Sequence, residues 1–309
     1  MSTRIARSIE QAQGFGPSAV AMGVFDGVHR GHQELLRRTI AAARERGLKS
    51  AVLTFDPHPA CVVAPGRAPK LLLSIEERCR RIAEAGIEEI LVLPFTEQVA
   101  AMPPDEFAAR ELKSAMNARA ILVGDNFRFG CERAGDIRTL AQLGFEVLPL
   151  VPVSYRGTIV SSSEIRRSIE AGDVSRAGRF LNRPYGIEGN IIHGHGIGSK
   201  QTVPTLNLAT AAEVLPATGV YITRTTDLDD SRQWDSISNI GVRPTFEREG
   251  PLSIETYLLS PFAEPTPHRV RLEFLRRVRE ERKFSSPDLL KTQILKDVST
   301  AQKYFRRLK

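Results

Sequence analysis

The stretch MGVFDGVHRGHQ, residues 22–33, closes the short apolar run SAVAMGVF (18–25) and opens QELLRRTIAAARE, whose apolar spacing suits a helix through about Glu45. Strand, glycine-rich turn and helix start, in that order, begin a βαβ unit. Gly23, Gly27 and Gly31 let the backbone approach a ligand closely. The unpaired N–H groups of a helix start carry partial positive charge and suit phosphate. His29 and His32, separated by Arg30 and Gly31, stand at that mouth. Two imidazoles there can donate hydrogen bonds to a pentavalent phosphorus centre as charge builds on it. That is nucleotidyl transfer, with no covalent enzyme intermediate required. Histidines at a helix start also serve as capping or surface residues. A metal site would need a third ligand that the local sequence does not supply.

Working outward, the same alternation continues. AVLTF (51–55), the apolar run at 90–95, AILVG (120–124) and FEVLPLVPV (145–153) read as strands, with helices near 74–85, 105–116 and 135–143 between them. The expectation is an α/β Rossmann-like domain with a parallel sheet covered on both faces. SSSEIRRSIEAGDVSRAGRFL (161–181) reads as two short helices, the first capped by a serine. From Tyr185 the texture changes to short alternating runs between Gly, Pro and Thr: YGIEGNIIHG, TGVYITRT, RQWDSISNIG, LSIETYLL and RVRLEFLRRV. These predict an antiparallel β-barrel, with the Arg and Glu of RVRLEFL turned outward. A last helix follows, with Ser286 as N-cap, Pro287 at its first position, and a docking face of Leu290, Ile294, Val298, Ala301, Phe305 and Leu308. The boundary is placed near Arg183-Pro184, giving domains 1–183 and 184–309.

GVFDGVHRGHQ, FDPHP (55–59), VGDNFRFG (123–130) with Gly135-Asp136, and SSSEIR (161–166) occur in that order. Together they resemble the adenylyltransferase half of the prokaryotic bifunctional riboflavin kinase/FMN adenylyltransferase (FAD synthetase) family, one of the H-x-G-H nucleotidyltransferases. The resemblance implies that Gly23, Phe25, Asp26, His29, Gly31 and His32 hold the ATP triphosphate and the reacting α-phosphate. It implies that Asn126 lines the nucleotide or flavin site, and that Ser161, Ser162 and Arg166 grip the phosphates opposite the histidines. Without it, SSSEIR is an ordinary capped helix start.

HGHGIGSK (193–200) places glycines at 194, 196 and 198, and PTLN (204–207) follows. Thr205 and Asn207, two residues apart, can face one Mg²⁺ from one side of an extended segment. Glu255, on a predicted strand, can accept a proton from an alcohol. Phosphoryl transfer needs little more than such a cradle, a metal and a base. Taken singly, the glycines make a hairpin, Pro-Thr a turn and Glu255 a solvent-facing strand residue. Their order resembles the riboflavin kinase barrel, from RPYGIEG through the glycine loop and PT-x-N to NIGVRPTF (239–246) and ETYLL. That resemblance implies Gly194, Gly196 and Gly198 at the nucleotide, Thr205 and Asn207 on Mg²⁺, Glu255 as base and Arg243 beside the flavin. The chain departs from the family pattern G-R-x-L-G-F-P-T-A-N. Ser199 replaces an arginine, Thr202 a glycine, Val203 an aromatic residue and Leu206 an alanine, and Asn182 stands where L-G-R-P-Y has glycine. The implied metal ligands and base survive, which favours an active kinase.

The composition agrees with a two-domain enzyme. The chain has 309 residues, 41% hydrophobic and 26% charged, beyond the roughly 250–300 residues at which single cores split. No apolar run approaches the roughly 18–20 residues needed to cross a bilayer, and MSTRIARSIEQAQG offers no signal-peptide core. Cys61, Cys79 and Cys131 are too few and scattered for a disulfide framework or zinc site, so a cytoplasmic location is expected. The net charge is +7, and residues 265–309 hold 13 basic against 5 acidic side chains. A solvated face that attracts polyphosphate explains this charge without nucleic acid, since no aromatic platform accompanies it. Expected partners are riboflavin, FMN, FAD and ATP, with no membrane; transient self-association is left open. Two alternatives remain: a degenerate barrel that only binds flavin, and a basic RNA-binding or flavin-sensing protein.

Overall fold

The computed structural model describes residues 3–192, 205–244, 249–260 and 266–308, and divides into compact units 1–162 and 163–309. In the first unit the β–α alternation forms a six-stranded sheet, parallel throughout. Its strands are β1 (Arg4–Ala6), β2 (Ser18–Met22), β3 (Lys49–Asp56), β4 (Glu89–Pro94), β5 (Ala118–Gly124) and β6 (Glu146–Leu150). Between them run α1 (Ile9–Ala12), α2 (Arg30–Arg46), α3 (Pro59–Val63), α4 (Ile75–Glu84), α5 (Glu97–Ala100), α6 (Pro104–Phe107) and α7 (Ile137–Gln142). Central strands such as β2 are buried along their whole length, which is why they read as continuous apolar runs. Leu36, Leu53, Ile90 and Leu91 are fully buried, each contributing about 1.5–3 kcal/mol of burial.

The spatial order is β1-β4-β3-β2-β5-β6. From β2 the chain winds through β3 to β4, then returns to place β5 and β6 on the other side of β2. Such a reversal opens a crevice at the carboxyl ends of the strands, here between β2 and β5. The turn after β2 is the histidine turn, and the turn after β5 is the NFRFG loop.

Four local features differ from expectation. The first strand stops at Met22, and Val24 and Phe25 belong to the turn. The helix expected over 105–116 is a single α-turn, α6, continued by a π-helical stretch, Ala108–Ala115. The N-terminal β1 and a small hairpin, β7 (Ser154–Tyr155) with β8 (Thr158–Ile159), have no counterpart in the sequence reading.

The second unit contains α8, which begins at Ser162 and runs to Glu170, α9 (Val174–Leu181) and a closed antiparallel barrel. The barrel strands are β9 (Tyr185–Ile192), β10 (Leu206–Ala209), β11 (Gly219–Asp227), β12 (Gln233–Pro244), β13 (Glu249–Leu258) and β14 (Arg269–Glu280), ordered β10-β13-β12-β11-β14-β9. Buried hydroxyls link three of its strands. Thr223 bonds Ser236 and Ser238 at 2.8 Å, Thr225 bonds Ser236 at 2.9 Å, and Ser238 bonds Thr256 at 2.8 Å. Each of these buried polar groups is thereby satisfied. Asn182 ends α9 with φ +60°, a left-handed cap that asparagine tolerates in place of glycine.

Two expectations are corrected here. Arg271 in RVRLEFL is buried, held by Glu188 at 3.2 Å, because its neighbours on β9 and β14 cover it. The last helix, α10 (Pro287–Arg306), starts as expected: the Ser286 hydroxyl accepts the Leu289 N–H. Only its second half docks, however. Val298, Ala301 and Phe305 pack on Val220, Ile222 and Ile237, while Leu290 and Leu308 are 40% and 60% exposed.

Candidate active sites

His29 is the N-cap of α2, 7% exposed, and its Nδ1 accepts the His32 backbone N–H at 3.4 Å. The two imidazoles stack with centroids 3.7 Å apart and planes 15° from parallel; Phe25 lies 5.1 Å from the His32 ring. Gly31 makes this stacking fit, since a Cβ there would come within 3.2 Å of the His29 ring. The turn is strained. Phe25 and Val28 are non-glycine residues at φ +57° and +40°, a conformation costing on the order of 1–3 kcal/mol and typical of functional turns.

Asp26 is 2% exposed, and its carboxylate accepts the N–H groups of Leu72 (2.9 Å) and Leu73 (3.2 Å). Its carbonyl accepts the Ser162 hydroxyl at 2.8 Å, tying the serine turn to the histidine turn. Behind it lies Arg78 on α4, 1% exposed, which donates to the Phe55 carbonyl at 3.0 Å. Burial lowers the Arg78 pKa, and the nearby Asp26 and Asp56 carboxylates oppose that shift. Arg78 did not stand out in the sequence, since an isolated charged residue on a helix carries no periodic signal; Phe25 was named there, but not its left-handed backbone.

Across the crevice, Asn126 is exposed at the end of β5. Phe129 pairs with Gly135 through two 3.0 Å backbone hydrogen bonds, closing the loop. A side chain at Gly135 would come within 2.6 Å of the Phe129 ring. The structure therefore places Gly23, Phe25, Asp26, His29, Gly31 and His32 on the turn and helix start after β2, ties Ser162, next to Ser161, to that turn, and puts Asn126 just after the neighbouring strand β5. Arg166 lies on α8 in the second unit.

On the barrel, register does the assembling. Asn207 of β10 is directly opposite Glu255 of β13, and Glu255 is directly opposite Asn239 of β12. Partners in a ladder share a face, so the three side chains form one row. Their neighbours Ile254 and Thr256 are buried on the other face, which leaves Glu255 and Asn207 half-buried on the outer side. Asn239 was not singled out in the sequence, although the NIGVRPTF motif contains it. Thr205, exposed, precedes Asn207 by two residues. Gly194, Gly196 and Gly198, with Ser199, Thr202 and Val203, lie outside the described residues. Arg243 falls at a register shift of β12 between Val242 and Pro244.

Comparison with known proteins matches both halves. The family description for FAD synthetase covers residues 12–164, and that for riboflavin kinase covers residues 181–305. A bifunctional riboflavin kinase/FMN adenylyltransferase from Pseudomonas fluorescens is 35% identical over 285 residues, spanning 91% of each chain. This chain belongs to the bifunctional riboflavin kinase/FMN adenylyltransferase family.

Relatives of that description from Escherichia coli and Bacillus subtilis are 31% and 32% identical, over 93% and 94% of this chain and 92% and 94% of theirs. A solved structure from Streptococcus pneumoniae described as a macrolide-efflux protein covers 98% of this chain and 99% of its own, with TM-score 0.87 and 29% identity. What it shares with this chain is the fold. No helix among the described residues here is long and apolar enough to cross a membrane. Within the riboflavin kinase/FMN adenylyltransferase family, the half matched to FAD synthetase contains the stacked histidines and the half matched to riboflavin kinase contains the Asn207–Glu255–Asn239 row.

Proposed function

We propose that this protein makes both flavin cofactors in succession, each half carrying one reaction. In the barrel, Glu255 takes the proton of the riboflavin 5′-hydroxyl as that oxygen attacks the γ-phosphorus of ATP, releasing ADP and FMN. Thr205 and Asn207 offer neutral oxygen donors of the kind Mg²⁺ accepts beside phosphate oxygens and water. The facing of Asn207 and Glu255 across one ladder supports that fit. Mg²⁺ bound there would neutralise charge on the phosphates. Gly194, Gly196 and Gly198 would cradle the nucleotide, and Arg243 would lie beside the flavin.

In the sheet half, an FMN phosphate oxygen attacks the α-phosphorus of a second ATP. The bond from that phosphorus to the β-phosphate bridging oxygen breaks, giving FAD and pyrophosphate. His29 and His32 donate hydrogen bonds to the crowded phosphorus centre, Gly23, Gly31, Ser161 and Ser162 hold the phosphates, and Asn126 lines the nucleotide or flavin site. Asp26 and Phe25 act by fixing the turn, and Arg166 supplies positive charge to the phosphates. We place the functional boundary near Arg183-Pro184 and the enzyme in the cytoplasm, in keeping with the free thiols of Cys61, Cys79 and Cys131. The stacked histidine pair at the mouth of α2 carries this reading. Its test is chromatography of two incubations with ATP and Mg²⁺, one started from riboflavin and one from FMN. FAD from both is expected; FAD from FMN alone would reduce the barrel to a binding module.

A further inference from the structure

Gly241 of the NIGVRPTF motif lies on β12 two residues beyond Asn239, so it belongs to the same outer face as Asn239 and Glu255. A Cβ there would meet the Glu281 Oε1 at 2.5 Å and the Asn239 Nδ2 at 3.1 Å. Glu281, the first residue after β14, therefore lays its carboxylate over the glycine and beside the Asn239 amide. Gly241 is buried although it sits on the outer face. The row Asn207–Glu255–Asn239 thus gains a fourth polar group, supplied by a strand that pairs with β11 and β9 rather than with β12 or β13.

The charge around this group sets the kind of ligand it suits. The arginines nearest in sequence are engaged elsewhere. Arg277 donates to the Thr218 carbonyl at 2.7 Å, Arg279 pairs with Asp297 at 2.9 Å, and Arg282 donates to Gln293. Neither the Glu255 nor the Glu281 carboxylate has a hydrogen-bond or ion-pair partner among the described residues. Two carboxylates on one face repel phosphate, and both accept hydrogen bonds from neutral hydroxyls. Asn207, a neutral oxygen donor, stands at the opposite end of the row. The row accordingly has a phosphate end and a hydroxyl end.

We propose that Glu281 is a specificity-determining residue of the kinase site, whose carboxylate accepts hydrogen bonds from the internal hydroxyls of the ribityl chain while Glu255 receives the proton of the terminal one. The inference rests on the assignment of Glu255 as base. Neighbouring strands lie about 4.8 Å apart, a step that a chain of a few hydroxylated carbons spans. One polyol can therefore reach Glu255 on β13 and the Glu281–Asn239 pair over β12. A plain alkyl alcohol brings no donor to the Glu281 carboxylate and is disfavoured there.

The test sets riboflavin against the flavin with an unbranched hydroxypentyl chain, which keeps the terminal hydroxyl and lacks the internal ones. Riboflavin phosphorylation by the full chain is followed with ATP and Mg²⁺, with the analogue as competitor, so that its affinity is read whether or not it reacts. In the native chain the inhibition constant of the analogue should lie about ten- to a hundredfold above the riboflavin KM. In Glu281→Ala that gap should close through a rise in the riboflavin KM, with kcat held within about twofold. Gly241→Ala, which keeps the carboxylate but displaces it, should narrow the gap in the same way. FAD formation from FMN should stay unchanged in both variants. No gap in the native chain, or a gap that persists in folded Glu281→Ala, overturns the proposal. The assignment beneath it fails separately: a Glu255→Ala chain that still phosphorylates riboflavin contradicts the base, whichever way Glu281 behaves.

Discussion

Asp26 and Arg78 make a pair whose coupling can be measured. Asp26→Asn keeps the shape but turns charge-assisted hydrogen bonds from Leu72 and Leu73, at 2.9 and 3.2 Å, into neutral ones. Charge-assisted bonds contribute about 1.5–3 kcal/mol and neutral ones about 0.5–1.5, so the loss over two bonds is about 2–3 kcal/mol. Arg78→Met removes a cation that is 1% exposed and whose charge the Asp26 and Asp56 carboxylates both favour. Breaking a buried charge arrangement from one side costs about 3–5 kcal/mol. The double variant loses the Asp26–Arg78 attraction once, whereas each single variant already loses it, so its destabilisation should fall short of the sum by about 1–3 kcal/mol. Urea unfolding can isolate the relevant unit. Trp234, the single tryptophan, lies in the barrel, so its fluorescence reports the second unit while far-ultraviolet circular dichroism reports both. Additivity to within about 0.5 kcal/mol would refute the coupling, and with it the view that Arg78 steadies the histidine turn through Asp26.

Two smaller perturbations follow the same logic. Gly130, at φ +73°, would place a Cβ 2.8 Å from the Pro104 side chain and 2.9 Å from its backbone. Gly130→Ala should destabilise the first unit by about 1–3 kcal/mol and lower FAD formation from FMN while sparing FMN formation, read by product chromatography. Hydrogen bonds from Arg37, then Arg38, lower the Glu34 pKa from 4.5 to about 2. A depressed carboxylate stabilises the fold above its unfolded value, and that contribution is lost as pH falls toward about 2. Being largely solvated, the cluster contributes only a few tenths of a kcal/mol. The Tm gap between the native chain and Glu34→Gln should be small at pH 6 and close progressively below about pH 4.5.

How much of this could be read from the sequence follows from the range of each interaction. Buried parallel strands announce themselves as apolar runs, and the histidine turn is legible because glycines, histidines and a helix start lie within a dozen residues. Barrel strands alternate, so their existence was legible too. Contacts between distant residues left no local trace. Asp26 is satisfied by Leu72 and Leu73, nearly fifty residues on, and Arg78 read as one more charge on a helix. Glu255 and Asn207 were found by type and order, but Asn239 joins them only through register. A π-turn has almost the same apolar spacing as an α-helix over one turn, so the break at Ala108 was invisible. The α10 stripe predicted docking along the whole helix, while the barrel surface covers only its second half.

The central claim, two reactions on two halves of one chain, is tested most directly by complementation in solution. His29→Ala and Glu255→Ala are each incubated with riboflavin, ATP and Mg²⁺, alone and mixed, and the flavins are separated by chromatography. His29→Ala should stop at FMN, Glu255→Ala should leave riboflavin unchanged yet convert added FMN to FAD, and the mixture should yield FAD from riboflavin. A mixture of the two folded variants that makes no FAD would contradict the assignment.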